Sequence, residues 1–265
     1  MRNVLLTIEY DGSGFHGWQI QPNLRTVQGY LQEVLSFICN EPVKVEGTSR
    51  TDAGVHAYGQ QATIRGNFKI PSERIPIAAN NIMDDVKIIS AVDMPEGFHA
   101  RFSALGKTYL YKIGMQNESY IFRRNYAYIL KESLNISNMR EGVKCIIGKK
   151  DFACFQAMGG NPTETTVRTI FGAEICELPT GEICVEVTGD GFLYNMVRII
   201  VGTLIDVGRG KKAPEEIENI IASKKRDMAG PTAPACGLYL KKVYYNKEDI
   251  EKKITCEEFL CQNQK

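Results

Sequence analysis

Apolar and polar positions alternate along this chain in two rhythms, one with a period of two and one with a period of three to four. Val4-Leu5-Leu6-Thr7-Ile8-Glu9-Tyr10 is a largely apolar run closed by Asp11-Gly12-Ser13-Gly14, which predicts a strand ending in a turn. Shorter runs predict strands at 43–46, 60–65, 86–92, 107–113, 165–170 and 183–187. Val27, Leu31, Val34, Leu35 and Ile38 recur at helical spacing behind a capping Thr26, with Gln28 and Glu33 facing out. A second helix is predicted over 73–82, although Pro76 falls in its first turns. A third follows Asn135 through Ile136, Met139, Val143 and Ile146-Ile147 and is ended by Gly148. A long apolar helix is predicted over 195–207. The pattern is that of an α+β protein in two similar halves, with a weak boundary near 95–105. The halves are set at 1–100 and 101–245, followed by a polar tail, 246–265, read as a short helix or a frayed end.

Composition narrows this picture only modestly. Hydrophobic residues at 43% and charged residues at 24% are ordinary for a soluble globular chain of 265 residues. No apolar run approaches a membrane span, and the first residues carry no signal-peptide core, so a cytoplasmic location is the default expectation. The eight cysteines form no C-x-x-C pair, and His16, His56 and His99 are scattered. That favours buried thiols over a zinc site. A net charge of +1 identifies no partner by itself. Local basic clusters occur at Arg123-Arg124, at Arg209 with Lys211-Lys212, and at Lys224-Lys225-Arg226. Each taken alone reads as a solvated face.

Candidate chemistry concentrates in Gly47-Thr48-Ser49-Arg50-Thr51-Asp52-Ala53-Gly54-Val55-His56-Ala57, between two predicted strands. Asp52 stands two residues after Arg50 and two before Gly54, so its carboxylate sits at a turn rather than along a strand. A guanidinium nearby favours the ionised form that a nucleophile or an electrostatic stabiliser needs. A turn whose Asp merely accepts backbone N–H groups fits the same spacing. Alternation places Tyr109, Tyr111 and Ile113 on one strand face, where a tyrosine serves equally as core or as a stacking platform for a base. Arg198, inside Met196-Val197-Arg198-Ile199-Ile200, is the most conspicuous charge in an apolar setting. It is either paired or snorkels from the helix edge.

Ser49-Arg50-Thr51-Asp52-Ala53-Gly54-Val55-His56-Ala57 resembles the signature G/S-R-T-D-x-G-V-H-A of the bacterial tRNA pseudouridine synthase A family. Further matches are Tyr10-Asp11-Gly12 with Phe15-His16-Gly17-Trp18-Gln19, Phe98-His99-Ala100-Arg101-Phe102, Asp151-Phe152 with Phe155, the helix around Met196-Val197-Arg198, and 232–240, where Ala233-Pro234 with Gly237-Leu238 resembles a strand of the family. The resemblance covers about residues 4–245. It implies two α/β halves sharing one extended mixed or antiparallel sheet, with helices on one side and a central cleft. It also implies isomerisation of uridine to pseudouridine at positions 38, 39 and 40 of the tRNA anticodon stem-loop. Asp52, Tyr109 and Arg198 would be catalytic, Arg50 and Tyr109 would bind the nucleotide, and Arg198 would be aimed at Asp52. Tyr111 keeps the core reading. The resemblance implies no cofactor and no metal, and a homodimer acting on tRNA away from any membrane. Two rivals remain: a non-catalytic RNA-binding protein, and a hydrolase using Asp52.

Overall fold

A computed structural model describes residues 1–115, 120–160 and 162–252. In chain order, β1 (Arg2–Tyr10) leads to α1 (Val27–Cys39), β2 (Lys44–Gly47), β3 (His56–Gly66), α2 (Ile75–Asn80) and β4 (Val86–Asp93). Then come β5 (Gly106–Met115), α3 (Tyr120–Arg123), β6 (Tyr128–Leu130), α4 (Ile136–Lys144), β7 (Gly148–Asp151), β8 (Val167–Glu177) and β9 (Ile183–Gly189). The chain finishes with α5 (Met196–Gly208), α6 (Glu216–Ser223), β10 (Leu238–Tyr244) and α7 (Lys247–Glu251). These elements form two compact units. One comprises Met1–Leu105 with Tyr239–Lys247, and the other comprises Gly106–Leu238 with the described residues from Glu248 onward. The closing strand, which the local pattern assigns to the second half, therefore folds with the first.

In the first unit the strands run in the order β4-β1-β3-β10, all antiparallel except the β3–β10 pair. Val4, Leu6, Ile8 and Tyr10 of β1 are buried at every second position, the period of a pleated strand. They join Ala62 and Ile64 of β3, Val86 and Ile88 of β4, and Val27, Leu31, Val34 and Leu35 of α1 in the core. Thr26 caps α1 by accepting the Gly29 N–H, and Asn40 ends it in the left-handed conformation. Gln28 does not simply face out: it is half-buried, donates to the Val45 carbonyl and accepts the Ile20 N–H. The predicted helix 73–82 is shortened to a 3-10 turn at Ser72–Arg74 followed by α2, with Pro76 in its first turn where no N–H is needed.

Two strands share one edge of β3. β2 pairs with its C-terminal part, from Lys44↔Arg65 to Gly47↔Ala62, and β10 with its first residues, Tyr239↔His56 and Leu240↔Ala57. Beyond Gly47, Thr48 stays on this edge at Gln61, and Gly59 lies against Lys241 of β10.

In the second unit the order is β5-β9-β8-β7, antiparallel throughout, with β6 parallel on β5. Every residue of β9 is buried. Helix α5 is buried almost all round and packs against Met139 and Val143 of α4, Ile217, Ile220 and Ile221 of α6, and Phe152 and Phe155. Two expectations are corrected here. Helix α4 ends at Lys144, and Gly148, at φ +101, begins β7 instead of capping the helix. Residues 232–237 are not extended: a 3-10 turn at Ala235–Gly237 precedes β10.

Candidate active site

The Asp52 loop is held by hydrogen bonds on both sides of the aspartate. Where β2 stops at Gly47, the chain keeps hydrogen-bonding to the vacated edge of β3: the Thr48 N–H donates to the Gln61 carbonyl at 2.8 Å. One residue on, a side chain replaces the ladder. Gln60, fully buried, accepts the Ser49 N–H at Oε1 (3.2 Å) and donates from Nε2 to the Ser49 carbonyl (2.8 Å). Thr51 is gripped at both ends, its hydroxyl 2.7 Å from the Tyr10 phenol and its carbonyl accepting the Trp18 N–H at 3.0 Å. The Val55 N–H closes the turn onto the Asp52 carbonyl at 3.2 Å, and Gly54 takes φ +78. Thr48, Ser49 and Thr51 before Asp52 and Val55 after it are thus held by hydrogen bonds, while Asp52 is half-buried and Arg50 is exposed.

Two glycines of the turn after β1 make room for this loop. A Cβ on Gly12 would lie 2.0 Å from the Val55 carbonyl oxygen. One on Gly17, already at φ +85, would lie 2.7 Å from the Thr51 carbonyl oxygen. Beneath the loop, the buried His56 accepts the Gly12 N–H at Nδ1 (3.1 Å) and lies 3.2 Å from the Asp11 carboxylate. Its ring stacks on Tyr239 at 4.7 Å, and Tyr239 stacks in turn on Tyr58 at 5.0 Å. The glycine-rich turn was legible as a turn. Its role as the seat of the Asp52 loop, like the clamp made by Gln60, depends on strand register and is invisible to periodicity.

Tyr109 and Arg198 belong to the other unit. Tyr109 lies opposite Val187, is only 8% exposed, and meets Phe192 edge-on at 5.1 Å. Tyr111 is fully buried, its hydroxyl donating to the Pro234 carbonyl at 2.8 Å, and burial raises its phenol above the ordinary range. Arg198 is half-buried near the start of α5. Its Nε donates to the Ala233 carbonyl (2.7 Å) and a terminal nitrogen to Asn195 Oδ1 (2.7 Å). The Ala233 N–H returns a bond to the Arg198 carbonyl at 3.1 Å. Asn195, at φ 58, holds its amide out for this purpose instead of capping α5. Arg198 is therefore neither loose in solvent nor simply snorkelling. Among the described residues, no group of three or more His, Cys, Asp or Glu side chains is arranged to hold a metal ion. No helix among them is long and apolar enough to cross a membrane.

A carboxylate displayed on a hydrogen-bonded loop, with an arginine two residues away, is an arrangement suited to acid–base or nucleophilic chemistry. Comparison with known proteins specifies the class. Residues 6–103 and 143–246 match the model of the family described as tRNA pseudouridine synthase. A tRNA pseudouridine synthase A of Ruminiclostridium cellulolyticum is 48% identical over 246 residues, covering 92% of this chain and all of that protein. A protein of the same name from Thermoanaerobacter sp. is 45% identical over the same span, with the same coverage. The chain belongs to the tRNA pseudouridine synthase family, with an α+β fold whose two units each carry a mixed or antiparallel sheet.

Proposed function

We propose that this protein isomerises uridine to pseudouridine in tRNA, at positions 38, 39 and 40 of the anticodon stem-loop. The observation that carries the reading is the hydrogen-bonded Asp52 loop inside a family match over residues 6–103 and 143–246. The reaction breaks the N1–C1′ bond, turns the uracil, and joins C5 to C1′; C5 gives up a proton and N1 regains one. Nothing is oxidised or reduced, so the balance calls for no redox cofactor. Asp52 attacks C1′ or takes the C2′ proton, and a rigid loop keeps its oxygens within reach of either atom without a reorganisation cost. Arg50 holds the nucleotide that must leave its stack before the base can turn. Tyr109 stacks on the uracil or serves in proton transfer, and Arg198 supplies positive charge to complement the Asp52 carboxylate. Lys and Arg side chains hold phosphates without reading sequence. A homodimer in the cytoplasm, working on tRNA, belongs to the same reading.

The test uses a tRNA transcript with C5-tritiated uridine. Wild-type protein should release tritium with no free uracil, and Asp52→Asn and Asp52→Ala should release none while binding tRNA within a few-fold of wild type. Asp52→Asn with near-normal turnover would reduce Asp52 to a turn residue. Wild-type protein that binds without releasing tritium would be a non-catalytic RNA binder, and free uracil would mark a glycosidase.

A further inference from the structure

Several large apolar side chains stand exposed, among them Phe37, Phe102, Phe122 and Met158. Phe102 differs from the rest in what holds it. It is 77% exposed, yet it sits on a loop, 98–103, fixed at nearly every backbone group. The Phe98 carbonyl accepts from Asn3 Nδ2 (2.8 Å) and from Arg65 (3.0 Å). His99 and Ser103 bond each other twice, the His99 N–H to Ser103 Oγ (3.1 Å) and the Ser103 N–H to the His99 carbonyl (2.9 Å). Within that ring, His99 Nδ1 accepts the N–H of Arg101 (3.0 Å) and, more loosely, of Phe102 (3.4 Å). With Nδ1 used as acceptor, the proton sits on Nε2, which faces Glu46 at 3.5 Å. The imidazole also leans on the Phe102 ring at 4.5 Å.

The same loop is tied to the Asp52 loop within one unit. The Ala100 carbonyl accepts from the Tyr245 hydroxyl at 2.9 Å, with Thr48 Oγ1 3.0 Å from the same oxygen. Burial pushes the Tyr245 phenol up to about 12, so it remains a donor at working pH. Thr48 lies two residues before Arg50 and four before Asp52. A largely exposed aromatic ring is therefore carried on a loop bonded to the proposed catalytic loop. Its neighbour Arg101 is exposed, with its guanidinium 5.6 Å from the Phe102 ring centroid.

We propose that Arg101 and Phe102 form a second RNA contact beside the Asp52 loop. Phe102 offers a face on which a nucleobase adjacent to the reacting uridine stacks, and Arg101 meets the phosphate next to it. An unpaired base stacked on an aromatic ring beside a guanidinium is a general mode of single-strand recognition. The cation at the rim favours a polyanion over an apolar protein face. A prebuilt platform also reduces the ordering cost of holding an extruded nucleotide open. This inference rests on the isomerase reading but has a separate point of failure.

The experiment measures tRNA affinity over a series of salt concentrations, and kcat/KM at one of them, for Phe102→Ala, Phe102→Leu, Phe102→Trp and Arg101→Ala, alongside wild type. Phe102→Ala and Phe102→Leu should both weaken binding about five- to thirtyfold, because leucine keeps the apolar surface but loses the stacking face. Phe102→Trp should bind like wild type, and its indole fluorescence should be quenched by tRNA, against the buried background of Trp18. Arg101→Ala should weaken binding and lower the log–log salt slope by about one phosphate contact. Unchanged affinity in both Phe102→Ala and Arg101→Ala would overturn the contact while leaving isomerisation by the wild-type protein intact. Normal tRNA binding by Phe102→Leu, with Phe102→Ala halving the mass seen in sedimentation, would overturn it in favour of a protein–protein face. Loss of the isomerase reading would show instead as wild-type protein that binds tRNA and forms no pseudouridine.

Discussion

Gln60 shows how much a single buried polar side chain decides here. Its carboxamide closes both backbone groups of Ser49, a residue only 5% exposed, and so extends a sheet edge by one rung without a strand. Gln60→Leu fits the same space but leaves a buried N–H and C=O unpaired, at about 1–3 kcal/mol for each. The expected result is a lower melting temperature and a fall in kcat larger than any change in tRNA affinity, since the loop it releases carries Asp52. Arg198 gives a matching test in the other unit. Lysine cannot reproduce a fork that reaches Ala233 and Asn195 together. Arg198→Lys should recover only part of the activity lost in Arg198→Met, and an Arg198→Lys variant with wild-type activity would reduce the residue to a point charge. In the sequence, Asp52 stood out by its neighbours and Arg198 by being out of place. Gln60 carried no such mark, because a glutamine in a strand usually faces water.

Helix α5 and the segment 230–234 across it work as one piece. Gly202 leaves no room for even a methyl group, since a Cβ there would lie 1.8 Å from the Pro231 carbonyl oxygen. Next to it, Thr203 Oγ1 accepts the Gly230 N–H at 2.9 Å while donating to the Ile199 carbonyl at 2.8 Å. Gly202→Ala must therefore push the segment away, costing about 1–3 kcal/mol by overpacking. It should also disturb Ala233, the acceptor that positions Arg198, so activity should fall further than the melting temperature alone explains. A second joint is Asp151, whose carboxylate accepts from Thr166 and from the Ala153 N–H and pairs with Lys224 at 2.8 Å. The Lys224 and Thr166 contacts hold its carboxyl below the usual range. A depressed folded value means the folded state holds fewer protons. The stabilisation is present above the unfolded aspartate value, about 3.9, and disappears as pH falls through the lower folded value. Acid unfolding of Asp151→Asn should show less pH dependence in that window, as followed by circular dichroism. Long elements such as β1, α1 and α5 were legible because their apolar period is sustained. β6 and β7 were not, being three and four residues long. Only the family resemblance suggests a strand at 232–237; Ala233 bonds to Arg198 of α5, and the turn at Ala235–Gly237 lies against Tyr111 and Lys112 of β5.

Across the whole chain, local rhythm was enough for an α+β class and misleading about which strand belongs where. β10 pairs with His56 and Ala57, some 180 residues earlier, and no periodicity records a partner at that distance. Charge shows the same separation between total and arrangement. With 32 Lys and Arg against 31 Asp and Glu, the chain has almost no net attraction for a polyanion. A number of the acids are already engaged by basic side chains, as in Arg2–Asp93, Arg25–Asp85, Lys224–Asp151 and Arg209–Glu132. Arg50, Arg101, Lys149 and Lys225 are exposed. Binding to tRNA therefore depends on particular cations displacing condensed counterions, not on the overall field, and each phosphate neutralised adds to the slope of log K against log salt. A protein of net charge +1 should accordingly lose tRNA affinity steeply between about 50 and 200 mM salt, by about a hundredfold or more if several phosphates are held. Filter binding across that range measures the slope. A flat response would mean that tRNA is not held through its phosphates, and the exposed arginines would then need another role.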